Sequence, residues 1–153
     1  MQIIFFFIFT PALFSMFSNA YCIAAEIVAV DGHLVRYDNG IVYDTESTLE
    51  WYAGPDEGMS WEDASKWMAG LDASRGKWRM PSKKELGTLH QVGDGVNNIT
   101  YLLPTSGYWF WCGSTRESSC RWVFSFSYGG EGWAGQAPAD GGRAIAVRYR
   151  KYY

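Results

Sequence analysis

Past an apolar run at Ile3–Phe17, the chain alternates short apolar stretches with turn residues. Ile27-Val28-Ala29-Val30 is followed by Asp31-Gly32 and then by Leu34-Val35-Arg36-Tyr37. Asp-Gly between apolar runs predicts a tight hairpin, because its central residues adopt positive φ. Asp38-Asn39-Gly40 predicts a second turn before Ile41-Val42-Tyr43, and a further strand is expected over Thr48 to Trp51. Ala53 to Gly58 carries Gly, Pro, Asp and Glu and reads as a loop.

The period then changes. Trp61, Ala64, Trp67, Met68 and Leu71 recur at helical spacing, with Ser60 as N-cap and Glu62 and Asp63 in the first turn. Asp72 to Gly76 ends this helix. A second helix is predicted from Ser82, where Glu85 three residues on completes a capping-box pattern. Leu86, Leu89 and Val92 form its apolar stripe, and Gly93-Asp94-Gly95 stops it. Val96 to Gly107 is polar and turn-rich. Three strands follow, at Tyr108–Trp111, Arg121–Ser127 and Ala144–Arg150, the last two alternating in character. Between them Tyr128 to Arg143 is rich in Gly and nearly without regular pattern. Strands, two helices, then strands predict an α+β domain with helices packed on a mainly antiparallel, twisted sheet and long irregular loops.

The N-terminal run changes the reading of where the chain works. It is uncharged, too short for a membrane-spanning helix, and broken by Pro11. Small residues follow it: Ser18, Asn19, Ala20, then Ala24 and Ala25. This predicts a cleaved signal peptide over residues 1–25, with Ala20, Ala24 and Ala25 as candidate cut sites. Residues 26–153 then form one domain, secreted, periplasmic or at the cell surface, with no stable membrane span. A cut after Ala24 or Ala25 discards Cys22 and leaves Cys112 and Cys120 as an even pair. These two flank a short Gly-Ser-Thr-Arg-Glu-Ser-Ser turn between strand candidates, and a structural disulfide is expected there.

Composition adds two constraints. A net charge of −3 argues against bulk electrostatic binding of nucleic acid. Aromatic residues make up 18% of the chain, and all eight tryptophans lie after Ala25, so most must be core or binding surface. Trp61, Trp67, Trp78, Trp109 and Trp122 fall at predicted core-facing positions.

Two blocks of residues resemble a known family. One runs Ser60-Trp61-Glu62-Asp63-Ala64, then Trp78-Arg79-Met80-Pro81-Ser82 with Glu85-Leu86. The other is Tyr108-Trp109 with Gly113-Ser114-Thr115, Trp122-Val123-Phe124 and the closing Ala146-Val147-Arg148. Together, from about Tyr43 to Lys151, they resemble the Lcl C-terminal domain, found at the end of a Legionella collagen-like adhesin. Leu usually stands in that family where this chain has Met80, and Thr where it has Ser82. Phe110, Trp111 and Cys112 interrupt a Tyr-Trp-Ser-Ser-Thr block usual in the family. The resemblance implies a C-type-lectin-like fold akin to formylglycine-generating enzymes, and a surface setting. The collagen-like relative binds sulfated polysaccharides.

Candidate chemistry is sparse. Arg79 and Glu85 read as a structural pair that pins the loop at Trp78 to the second helix, since an Arg fork suits a partly buried carboxylate. Tyr128, Glu131, Trp133, Gln136 and Asp140 lie in the Gly-rich segment and are the candidate ligand-binding residues, because loop aromatics stack on sugars or anchor partners. No metal-ligand spacing, cofactor motif or catalytic triad is legible, with only His33 and His90 as histidines. The expected function is a non-enzymatic binding or adhesion domain for a glycan, a polyanion or a surface protein. The alternatives are a structural module of a surface assembly and, behind it, an oxidase related to formylglycine-generating enzymes that would use its cysteine pair.

Overall fold

Ser60 and Ser82 open the two helices of the described chain, α1 (Trp61–Gly70) and α2 (Lys83–Thr88). The Ser60 hydroxyl accepts from the Asp63 amide, and the capping box predicted at Ser82 is complete. The computed structural model describes residues 25–71, 77–93, 97–115, 121–133 and 142–150. The proposed signal segment, apart from Ala25, lies outside them. No described helix is long and apolar enough to cross a membrane.

Eight described strands form two antiparallel sheets. β1 (Ile27–Asp31), β2 (Leu34–Tyr37), β3 (Val42–Asp44), β4 (Leu49–Ala53) and β8 (Ile145–Tyr149) pair in that order. β5 (Trp109–Thr115), β6 (Arg121–Ser125) and β7 (Gly130–Trp133) make the second sheet. The α+β class read from the sequence is the one observed, with two sheets in place of one.

Several local expectations shift. The first hairpin turns on Gly32-His33, since Asp31 stays in the strand opposite Leu34 and Gly32 alone takes the positive φ, 56°. α2 ends at Thr88, and Val92, expected on its apolar stripe, is 87% exposed. β7 lies inside the segment expected to lack regular structure; its Gly130-Glu131-Gly132 backbone pairs with β6 despite having few side chains to mark a strand. The nominally polar stretch before β5 supplies Ile99, Leu102 and Leu103 to the core.

Two apolar clusters lie on opposite faces of both sheets. In the first, Trp51, Ile145 and Val147 of the larger sheet meet Phe110, Cys112, Phe124 and Phe126 of the smaller region, with Leu86 and Leu89 from the second helix and its cap. In the second, Ala144 and Ala146 meet Trp111 and Val123, closed by Ala64 and Met68 of α1. The smaller sheet is thus covered on both sides, so the alternation of β6 does not separate a wet face from a dry one. The tryptophans sort differently from expectation. Trp51 and Trp111 are buried, whereas Trp61, Trp67, Trp78, Trp109 and Trp122 are half-buried against the rims of the clusters.

The segment 79–81 stitches the two sheets. Arg79 exchanges both backbone hydrogen bonds with Val147, extending the larger sheet past β8, and the Gly113 amide donates to the Pro81 carbonyl across to β5.

Candidate functional site

Over that stitch lies a groove of about 580 Å³, within the size range of small-molecule sites. Trp61, Ser65, Met68 and Ala69 reach it from α1, at the spacing of one helix face. Trp78, Arg79, Met80 and Ser82 form the opposite side, and Gly113 of β5 closes one end.

The side chains of the groove are held by their neighbours. Trp61 Nε1 donates to the Cys112 carbonyl at 3.2 Å, which fixes the indole to β5. The Arg148 guanidinium sits 4.2 Å from the Trp78 ring centroid, and Tyr52 packs on the same ring at 6.0 Å. Arg148 is itself held by Glu50, its Nε donating to Oε2 at 2.7 Å.

Arg79 and Glu85 form the pair expected of them. Arg79 donates from Nη1 and Nη2 to the two Glu85 oxygens at 2.9 and 2.6 Å, and from Nη1 to the Met80 carbonyl at 3.2 Å. The guanidinium also lies 5.8 Å from the Tyr149 ring centroid. Glu85 accepts from the Ser82 amide and hydroxyl, each at 2.8 Å. Its carboxyl is lowered to about 2, first by the Arg79 hydrogen bonds and then, against the cost of burial, by Ser82. Trp78, Arg79 and Glu85 are therefore positioned as structural residues, and the first two also line the groove.

Of the loop residues predicted to bind ligand, Tyr128 and Glu131 lie away from the groove. Tyr128 is exposed and meets Trp109 edge-on, with ring centroids 5.9 Å apart. Glu131 pairs with Lys83, whose ammonium lies 3.9 Å from the Trp122 ring centroid. The backbone of Trp133 pairs with Trp122 in β7. Gln136 and Asp140 lie outside the described residues. Neither Tyr128 nor Glu131 lines the groove. What the sequence reading missed is that Trp61 and Trp78 keep part of each ring at the surface. The signal available was their position at the ends of elements, one opening α1 and the other preceding a Pro-Ser helix start, where an aromatic residue packs on a rim.

The expected Cys112–Cys120 bridge is not seen. Cys112 is a free thiol, fully buried, and Cys120 lies outside the described residues. The side chain of Cys112 points into the first apolar cluster, and burial pushes its thiol up to about 12. Among the described residues, no three of His, Cys, Asp and Glu are grouped to hold a metal ion.

The Lcl C-terminal domain family matches residues 40–148, which takes in the sheet from β3 onward, both helices and every residue lining the groove. No curated protein and no solved structure matches the chain at a significant level. The match spans more than half of the sequence, and the chain belongs to the Lcl C-terminal domain family.

Proposed function

We propose that the chain is an exported, non-enzymatic adhesion domain that recognises a glycan at a cell surface through the groove between α1 and residues 78–82. The observation that carries this reading is the groove itself, in which Trp61 and Trp78 stand half-exposed beside the hydroxyl-bearing Ser65 and Ser82. Rigid indole surfaces next to a few polar groups suit a sugar, which presents apolar C–H faces and hydroxyl edges. Family membership supports the surface setting, since the collagen-like namesake is an adhesin. The two-sheet α+β frame accords with a C-type-lectin-like fold, and the apolar N-terminal run with export into a secreted, periplasmic or surface location.

The oxidase alternative would need Cys112 as an accessible thiolate, whereas its thiol is sealed in the core and held at about 12. The structural-module alternative has one observation in its favour. Ile27, Val28 and Val30 are exposed on β1, the edge strand of the larger sheet. A stable oligomer by light scattering, lost on Val28→Lys, would support that second reading.

A glycan array probed with the secreted protein tests the first. Signal is expected for the unsubstituted protein, loss for Trp61→Ala, and retention for Trp133→Ala. A blank array overturns glycan recognition. Loss with Trp133→Ala alone would move the site to the segment after β6.

A further inference from the structure

We infer that Tyr108, Trp109 and Tyr128 form a second docking surface, for an uncharged, proline-rich segment of a partner protein in the polyproline II conformation. None of the three residues lines the groove, so the inference does not rest on the glycan reading above.

The rings come from two places in the smaller sheet. Tyr108 and Trp109 lead into β5, and Tyr128 stands in the turn between β6 and β7. The Tyr108 carbonyl accepts from the Phe126 amide at 2.8 Å, which holds the two segments side by side. The turn is fixed too: the Gly129 amide donates to the Ser125 carbonyl, and Gly129 takes a φ of 67°. A Cβ on Gly130 would lie 2.8 Å from Tyr128 Cε2, so the Tyr128 ring lies back over a residue without a side chain. The surface is therefore ordered before a partner arrives, which lowers the entropic cost of binding.

Its shape suits an extended helix better than a sugar. Tyr108 is 42% and Tyr128 58% exposed, with the half-buried Trp109 between them. Neighbouring ring centroids stand 6.2 and 5.9 Å apart. Polyproline II rises about 3.1 Å per residue, so each ring matches an advance of about two residues. The rings meet at 44° and 77°, which makes a stepped surface. A pyranose stacks on an open, flat ring face, whereas proline rings seat in the notches of an aromatic row.

The polar groups complement the same ligand. Among the described residues, no hydrogen bond takes up the Trp109 Nε1–H or the hydroxyl of Tyr108 or Tyr128. Proline carries a carbonyl and no N–H, so a proline-rich segment accepts hydrogen bonds and donates almost none. Free donors between aromatic rings are what such a backbone lacks. The five prolines of this chain are scattered along it and form no run, so the occupant is a partner's segment.

NMR titration of the secreted protein, read at its tryptophan Nε1–H resonances, tests the inference. The probes are deca-proline, a decapeptide of alternating Gly and Ser, and cellohexaose. Deca-proline is expected to shift one indole resonance saturably, the one missing from Trp109→Phe, and the Gly-Ser peptide to leave it in place. Tyr128→Ala removes an exposed ring and is expected to weaken deca-proline about fivefold or more with Tm unchanged. An absent deca-proline shift, or one that Tyr128→Ala leaves at full strength, overturns the inference. An equal shift from the Gly-Ser peptide overturns it as well, since any extended chain would then do. A Trp109 shift from cellohexaose alone makes the surface a sugar platform and overturns the proline-rich ligand.

Discussion

A Cβ on Gly113 would lie 3.0 Å from the Met80 carbonyl oxygen and 3.1 Å from the Met80 Cβ. This contact lies in the stitch between the two sheets, where the Gly113 amide also donates to the Pro81 carbonyl. Backbone stands on the other side of the contact, so a side chain at residue 113 cannot be absorbed by a rotamer change. Gly113→Ala is expected to destabilise the fold by about 1–3 kcal/mol and to displace Met80 into the groove. Urea denaturation reads the first effect and ligand titration the second. An alanine variant as stable as the parent would show that the two segments separate more freely than the geometry implies.

The carboxyl of Glu85 is lowered to about 2 from an ordinary 4.5 by Arg79 and Ser82. A depressed folded-state value stabilises the fold above the unfolded value and loses that contribution as pH falls towards the folded one. The contribution is therefore complete at neutral pH, begins to fade near 4.5, and is gone below about 2. The Arg79 side chain is 41% exposed, so solvent screening reduces the effect to roughly 1–2 kcal/mol. Glu85→Gln should lower Tm at neutral pH and flatten the acid limb of the Tm profile in that window. An unchanged acid limb would show that the pair adds no stability.

The helix starts were legible because capping is local: Ser60 and Ser82 each carry their signal within three residues. The same locality made Arg79 and Glu85 readable as a pair. The groove was not legible, because its walls come from α1, residues 78–82 and β5, which only tertiary packing brings together. Trp61 was assigned to the core from helical period, and the period does set its face. What holds its ring at the rim is the Cys112 carbonyl on β5, which accepts from Trp61 Nε1 and which no pattern in α1 reports. The strand at Gly130–Trp133 was missed for the opposite reason: backbone pairing with β6 holds it, and its glycines carry no alternating side chains to reveal it.

Cys112 gives a direct test of the core. Its thiol is fully buried and pushed up to about 12 by desolvation, with Lys83 opposing that shift and Glu131 adding to it. The thiolate is the reactive form, so a thiol reagent at mild alkaline pH should label Cys112 only after denaturation. Labelling of the native protein would contradict the burial. Failure to label in denaturant until reductant is added would restore the bridge to Cys120 expected from the sequence.

Glu50 and Arg148 form a second ion pair, on adjacent strands β4 and β8, with both residues under a tenth exposed. Arg150 approaches the other Glu50 oxygen at only 4.0 Å, so the 2.7 Å bond from Arg148 dominates. Removing Glu50 takes from Arg148 its 2.7 Å carboxylate acceptor in a poorly solvated site. Glu50→Ala is therefore expected to cost about 3–5 kcal/mol. Replacing the two together by Leu and Met should cost less than the sum of the single changes, because the 2.7 Å charge pair is then removed as a whole. Arg148→Met has a further consequence that Glu50→Leu lacks, since Arg148 supports the Trp78 ring from 4.2 Å. At matched stability, Arg148→Met should shift tryptophan emission and weaken the groove's ligand, while Glu50→Leu should change stability with a smaller effect on binding. Equal losses of binding in both variants would mean that the pair acts on the groove only through the fold.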